Sequence, residues 1–555
     1  MQVNPSDSDI STWRTANSSR MIPLMKQQSS RIPDLLSRLE AFVQLRRVRE
    51  GFALLDELRK ELRSSSGLDG VSAISLALCL AQWIDLGYRD NSLLEMVTRH
   101  LPQRHVELPF LDVMRLNLIE AYSCLTAEKV DRAIALLDQT AIAGAEIMPE
   151  YLVFLTHLLK GRSHRKKGEY KSASWHIQAA RASATRLGNE KLVAVIKIHE
   201  SWLVFQNGDL RRALQLLDEA EKELRPIGHA LSLGNIESAR GRFIRRSGKY
   251  QDALVHFERA IELYKNDFSH HPNLARAMVN AAYVRRLMAL DLRATANRGQ
   301  ARGHVNSKYL KLTRDALELL KQAGEIYAKH HHQSGIGSVL VNSGFLHLDC
   351  GDIERASIEA DRAFKLAEEK RDLILMTRAR TLQSAVNRVK SEEQIGGDEE
   401  AYVHARLAVE RAGEAIDLAK QTQNRRLLAE AYIARGLAAL DDQNRDVQMA
   451  RQCASEAGTL LGEDDRDHLL KELGELKERI LRSAGVEDTL RRWSEGQIGN
   501  KTFQQVQEEF AEIVIPRVWE NLGRNTSRVS AQLSISPKKV RRLLRKAHIK
   551  DVNED

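Results

Sequence analysis

The chain has 555 residues, 43% of them apolar and 29% charged, with a net charge of +9. Aromatic residues make up only 5%, prolines number ten, and the four cysteines, Cys79, Cys124, Cys350 and Cys453, stand far apart with no CxxC pair. This composition argues against a disulfide or zinc scaffold and for a nearly all-helical protein with reduced core thiols. No apolar run approaches the ~18 residues of a membrane span, so no membrane partner is expected.

Residues 1–30 are rich in Ser, Gln and Asn and lack an apolar h-region. They read as a disordered tail rather than a signal peptide.

From residue 31 to 483 the chain repeats itself. GEYKSASWHIQAA from Gly168, GDLRRALQLLDEA from Gly208 and GKYQDALVHFERA from Gly248 start 40 residues apart. The frame extends back to Val48, Tyr88 and Glu128, and resumes at Lys311, Gly351, Glu400 and Arg445, which makes ten units. Its sixth position is Ala53, Ala133, Ala173, Ala213, Ala253, Ala316, Ala356, Ala405 or Ala450, with Leu93 as the exception. Seven residues later come Ala180, Ala220, Ala260, Ala323, Ala363, Ala412 and Ala457, and twelve before the first alanine stand Gly161, Ser201, Gly241, Gly344 and Ala438. Small residues at recurring helical positions let helices approach closely. One helix pair cannot bury its own apolar faces, whereas a stack can, and the stack curves into a solenoid with a concave face. This small–Ala–Ala frame resembles the tetratricopeptide repeat, with a period of 40 in place of 34 and without the family's terminal proline. The resemblance implies a superhelical array that binds a protein or peptide on its concave face.

Two insertions interrupt the frame. The spacing from Gly248 to Lys311 is 63 residues, and the extra segment carries Arg293, Arg298, Arg302 and Lys308 with no acid between them. It is expected to be a mobile loop. SEEQIGGDEE from Ser391 is acidic and is expected to be a solvated loop. Leu476 and Ile480 continue a last helix. Gly485, Gly496 and Gly499 then mark a linker over 484–500.

No residue set in the array supports catalysis. The string GNKT at Gly499 lacks the glycine before Lys501 that a phosphate loop needs, and no GxSxG or HExxH occurs. The triplet His330, His331 and His332 and the pair His270 and His271 are adjacent residues that splay to different faces, so no metal site is expected. No catalytic residue, metal or cofactor is assigned.

Residues 501–555 form the most informative stretch. Asn525 caps a short helix in which Val529 and Leu533 share a face. Ser534, Ile535 and Ser536 make a turn. Ser536 caps the next helix and Pro537 occupies its first position. Val540, Leu543, Leu544 and Ala547 form its apolar stripe, and Lys538, Lys539, Arg541, Arg542, Arg545 and Lys546 fill the other positions. From Arg524 to Lys550 there are nine Lys or Arg and no acid, so the rest of the chain is neutral overall. A basic helix after a tight turn suits a DNA major groove. Ser536, Lys538, Lys539 and Arg542 are the candidates for the groove. Asn525, Thr526, Arg528, Arg541 and Arg545 are the candidates for phosphates.

These residues resemble the Fis-type helix-turn-helix of bacterial enhancer-binding activators. Phe510, Gly523 and Asn525, Ser527 and Arg528, Leu533, Ile535 and Ser536, and Val540, Arg542, Leu544 and Ile549 fall on that family's frame. Arg524 and Ser534 stand where the family has glycine, and Val529 and Ser530 replace its paired alanines. The resemblance implies a dimer through Phe503–Leu522, with Phe510, Ile513, Val514, Val518 and Leu522 as contacts. The family's ATPase domain has no counterpart in this chain. The reading is a cytoplasmic, non-enzymatic regulator whose solenoid binds a partner and whose end binds double-stranded DNA. The alternative is an interaction scaffold with a degenerate helix-turn-helix.

Overall fold

The computed structural model describes residues 31–64, 68–102, 108–144, 147–296, 302–462, 465–483, 488–494 and 496–546. The expected tail over 1–30, Arg298, Ala547 and Ile549 lie outside them.

Among the described residues there are 25 α-helices and no strand. Ten antiparallel pairs follow in chain order. They are α1 (Ile32–Leu45) with α2 (Val48–Ser64), α3 (Gly70–Asp85) with α4 (Ser92–Thr98), α5 (Phe110–Thr126) with α6 (Val130–Gly144), α7 (Glu150–Lys167) with α8 (Tyr170–Arg186), and α9 (Glu190–Gln206) with α10 (Leu210–Leu224). The second half comprises α11 (Ala230–Arg246) with α12 (Tyr250–Phe268), α13 (Pro272–Ala296) with α14 (Arg302–Lys329), α15 (Gln333–Asp349) with α16 (Ile353–Glu369), α17 (Leu373–Glu392) with α18 (Asp398–Lys420), and α19 (Arg425–Ala439) with α20 (Val447–Leu460). Helix α21 (His468–Ser483) closes the stack, burying Leu469, Leu473, Leu476 and Ile480. The chain is a tetratricopeptide-like helical-repeat solenoid, and its ten second helices fall on the ten repeat frames.

The small residues act as the spacing requires. Ala133, Ala173, Ala213 and Ala253 are fully buried, as are Ala316, Ala356, Ala405 and Ala450. A Cβ on Gly161 would stand 2.7 Å from Ile177, and one on Gly344 would stand 2.6 Å from Leu382. The first unit is shifted, however. Helix α2 begins on the frame residue Val48 itself, whereas α6, α8, α10 and α12 begin two residues after theirs. Ala53 is therefore exposed, and Gly51 takes the packing position. A Cβ on Gly51 would lie 1.9 Å from the ring of Trp83, which is itself fully buried.

Both insertions differ from the expected loops. The basic one lengthens α13 and α14 to 25 and 28 residues. The extension lets the Arg293 guanidinium and the Tyr309 hydroxyl each donate at 3.1 Å to the Asp349 carbonyl, at the C-terminus of α15 where a helix leaves its carbonyls unpaired. The acidic insertion shrinks to residues 393–397, because Asp398, Glu399 and Glu400 form the first turn of α18, where the helix dipole favours carboxylates. Cys350 is exposed at the end of α15, unlike the three buried cysteines. Within the expected linker stands a short helix, α22 (Asp488–Ser494).

The superhelix is wound tightly enough for successive turns to touch. The turn inside one unit meets a turn between units three to five further on. Asn189 donates to the Gln44 carbonyl at 3.3 Å. The Glu128 carboxylate accepts from the Ser334 backbone N–H at 3.1 Å and pairs with His332. The Gln423 N–H donates to the Gly168 carbonyl at 2.9 Å, and the Arg466 N–H to the Arg246 carbonyl at 3.0 Å. Gly168 and Gly248 have left-handed φ of 84° and 75°. A side chain on Gly248 would also strike the Arg466 carbonyl, 2.6 Å from its Cβ. Glycine thus opens these frames for two reasons, its backbone conformation and the approach of the next superhelical turn.

Candidate nucleic-acid interface

The C-terminal unit comprises α23 (Phe503–Asn521), α24 (Thr526–Leu533) and α25 (Pro537–Lys546) around a core of its own. Ile515, Trp519, Val529, Val540, Leu543 and Leu544 are buried there, with Val518, Leu522, Leu533 and Ile535 packed against them. Thr502 and Gln505 form a capping box at the start of α23. The Arg528 N–H donates to Asn525 Oδ1 at 3.0 Å, and the Lys539 N–H to Ser536 Oγ at 3.2 Å, so both anticipated caps are present.

The departures from the glycine and alanine pattern have physical accounts. Arg524 and Ser534 adopt left-handed φ of 59° and 51°. Val529 fills the core, and the Ser530 hydroxyl donates to the Ile535 carbonyl at 2.5 Å, holding the turn from inside.

Arg528, Ser536, Lys538, Lys539, Arg541, Arg542 and Arg545 are all exposed on α24, the turn and α25. The apolar stripe holds α25 against α23 and α24, which turns the cations outward. Asn525 is half-buried with its amide oxygen committed to the cap. Thr526 is only 7% exposed, so its side chain has little surface to offer a phosphate. Ser536 also spends one lone pair on its cap. Of the anticipated dimer contacts, Val518 and Leu522 pack into the unit's own core, Ile513 and Val514 are half-buried, and Phe510 is 50% exposed. Phe503, at 80%, adds an exposed ring on the same helix.

The concave face of the solenoid is lined by first helices of the pairs. A cavity of about 440 Å³ opens there between the end of α9 and the start of α21. Its arginines were not singled out from the sequence, although Arg242, Arg245 and Arg246 share one helix face. The histidine clusters serve as structure. His332 caps α15 by accepting from the Gly335 N–H at 2.9 Å, and His330 bonds the His270 carbonyl at 2.7 Å. Among the described residues no three His, Cys, Asp or Glu side chains stand together as metal ligands, and no helix is long and apolar enough to cross a membrane.

No family model and no curated protein matches this chain. Solved structures resemble it as helical-repeat arrays. One is a Rap protein complexed with Competence and Sporulation Factor, 14% identical over 77% of this chain and 99% of that one, with a TM-score of 0.41. Another is the human IFIT1 dimer with m7Gppp-AAAA, 14% identical over 82% and 95%, with a TM-score of 0.43. A third is the apo form of the quorum sensor NprR from B. thuringiensis, 13% identical over 77% and 98%, with a TM-score of 0.41. These are likenesses of fold, and they carry no ligand or activity over to this chain.

Proposed function

We propose that this protein is a cytoplasmic, non-enzymatic transcriptional regulator. Its C-terminal unit, residues 501–555, is a Fis-type helix-turn-helix that binds double-stranded DNA. Its solenoid, residues 31–483, binds a partner on the concave face. The observation that carries the reading is the division of α25 into two faces. Val540, Leu543 and Leu544 are buried, while Lys538, Lys539, Arg541, Arg542 and Arg545 are exposed, with no acid between Arg524 and Lys550. Lys538, Lys539 and Arg542, with Ser536, face bases. Arg528, Arg541 and Arg545 meet phosphates, helped by the N-terminus of α24 at Asn525 and Thr526. A dimer through α23, with Phe503, Phe510 and Ile513 as its seam, would set two such helices on a palindromic site.

The test is selection of bound fragments from random duplex DNA, using the intact protein beside a Lys539→Ala, Arg542→Ala double variant. An enriched palindromic motif that the variant loses supports the reading. Absence of any enriched motif, both for the intact chain and for residues 501–555 alone, sinks it and leaves the scaffold alternative.

A further inference from the structure

The inner cavity is lined by eight arginines and only three carboxylates, Glu430, Asp467 and Glu472. Half of the arginines are neutralised. Arg286 pairs with Asp349 and Arg388 with Glu392, while Arg246 and Arg426 share Asp465. Arg242, Arg245, Arg276 and Arg378 have no carboxylate within 4.0 Å among the described residues. The charge of Arg378 acts on Glu430, whereas the contacts of the other three are neutral. Arg242 donates to the Ser238 carbonyl at 3.3 Å, Arg276 to Asn273 Oδ1 at 2.6 Å, and Arg245 stacks on the Tyr283 ring at 4.7 Å. The Arg245 Nε–H is buried and has no hydrogen-bond partner.

Holding these guanidiniums together is costly. Burial, then the charges of Arg276 and Arg165, hold the Arg242 guanidinium down to about 9. Burial, then the charges of Arg276 and Arg162, hold Arg165 down to about 10. By contrast, Arg162 on the first helix α7 is matched by Asp85 at 2.7 Å. An uncompensated cluster in a cavity is where a partner's negative charge belongs.

We infer that this cavity binds a small polyphosphorylated molecule, whose phosphates are taken by the guanidinium forks of Arg242, Arg245 and Arg276. A terminal phosphate carries close to two charges and a bridging one about one, and each offers several acceptor oxygens, which suits bidentate arginine. Two or three phosphates supply the charge that these three guanidiniums lack, within about 440 Å³. A peptide would need four acidic residues and their backbone to bring the same charge. The volume lies in the range of small-molecule sites, ~300–1,000 Å³. Asn280, Tyr283 and Asn342 line the same wall and offer polar edges for the rest of the molecule. The inference rests on the solenoid being the ligand-binding half of the protein. It is read by ligand binding alone, so its failure is separate from any failure to bind DNA.

The experiment titrates the full chain with inorganic tripolyphosphate, with ATP and with a tetraglutamate peptide, following heat of binding and melting temperature. Two double variants run beside it, Arg242→Gln with Arg276→Gln and Lys538→Gln with Lys539→Gln, together with Arg242→Gln and Arg276→Gln singly. Tripolyphosphate and ATP should both raise the melting temperature of the intact chain and of the second double variant. Each single cavity substitution should weaken binding tenfold or more, and the pair should abolish it. Equal affinity for the two probes means recognition of phosphates alone, and tighter ATP binding means recognition of a nucleotide. Either supports the inference. Without ligand, Arg242→Gln should melt no lower than the intact chain, because no ion pair is lost. No binding of either probe at millimolar concentration, undiminished binding by the double cavity variant, or tighter binding of tetraglutamate would each overturn it.

Discussion

Salt dependence separates the two roles assigned to the cations of α24 and α25. Arg528, Arg541 and Arg545 are exposed and assigned to phosphates, and each neutralised phosphate contributes about 0.9 to the slope of log affinity against log salt. Three contacts give a slope of about −2.7 per protomer and about −5.4 for a dimer. A fourfold rise in salt then weakens a protomer roughly forty-fold and a dimer roughly two-thousand-fold. Arg541→Gln should make the slope shallower by about 0.9 per protomer on any duplex. Lys539→Ala, assigned to a base edge, should instead remove ~1–3 kcal/mol of discrimination at one position. The assay is fluorescence anisotropy of a selected duplex and its scrambled counterpart over a salt series. An unchanged slope for Arg541→Gln, together with no change in preference for Lys539→Ala, would refute the assignment of roles on α25.

Three further outcomes concern the fold. Gly51→Ala overpacks Trp83 and should destabilise the array by about 1–3 kcal/mol in urea melts, despite alanine's better helix propensity; Trp83→Leu should largely rescue it. Asp465 is 2% exposed between Arg246 and Arg426, so Asp465→Ala leaves the buried Arg246 guanidinium unmatched, while Arg426 keeps Asp467, and should cost about 3–5 kcal/mol by the same assay. Burial holds His176, His229 and His271 down to about 3 and depresses His199 as well. Their neutral folded forms leave stability intact above the unfolded value near 6.5 and erode it as pH falls below that. The loss is up to about 1.4 kcal/mol per pH unit for each group. Urea midpoints should therefore drop from pH 7 to pH 5, and His229→Asn should flatten the curve by about one proton.

Much of the array was legible because its packing is local. Ala173, Ala213 and Ala253 recur at one spacing since each meets the same neighbouring helix. The caps at Asn525 and Ser536 were equally readable, because each bond spans three residues. The frame failed at Ala53, where α2 begins two residues early and Gly51 does the packing. The long basic insertion reads as a loop because its helical continuation is polar, and the carbonyl that anchors it, that of Asp349, lies in another unit. Contacts such as Gly168 with Gln423 leave no periodic trace, since they join residues about 250 positions apart. The cavity arginines looked like a solvated face for a related reason. Arg242 on α11 and Arg276 on α13 become neighbours only once consecutive units stack.

The contacts between successive superhelical turns change what kind of object the array is. An open repeat protein can lose or gain a unit at its end with little consequence elsewhere, because each unit knows only its neighbours. Here the pairs Glu128 with Ser334, Gly168 with Gln423 and Arg246 with Arg466 fix the phase of one coil against the next. Removing a single unit anywhere between them would put every later pair out of step. The number of units is in effect quantised by the circumference of the coil, and the array should melt as one body rather than fray from its ends.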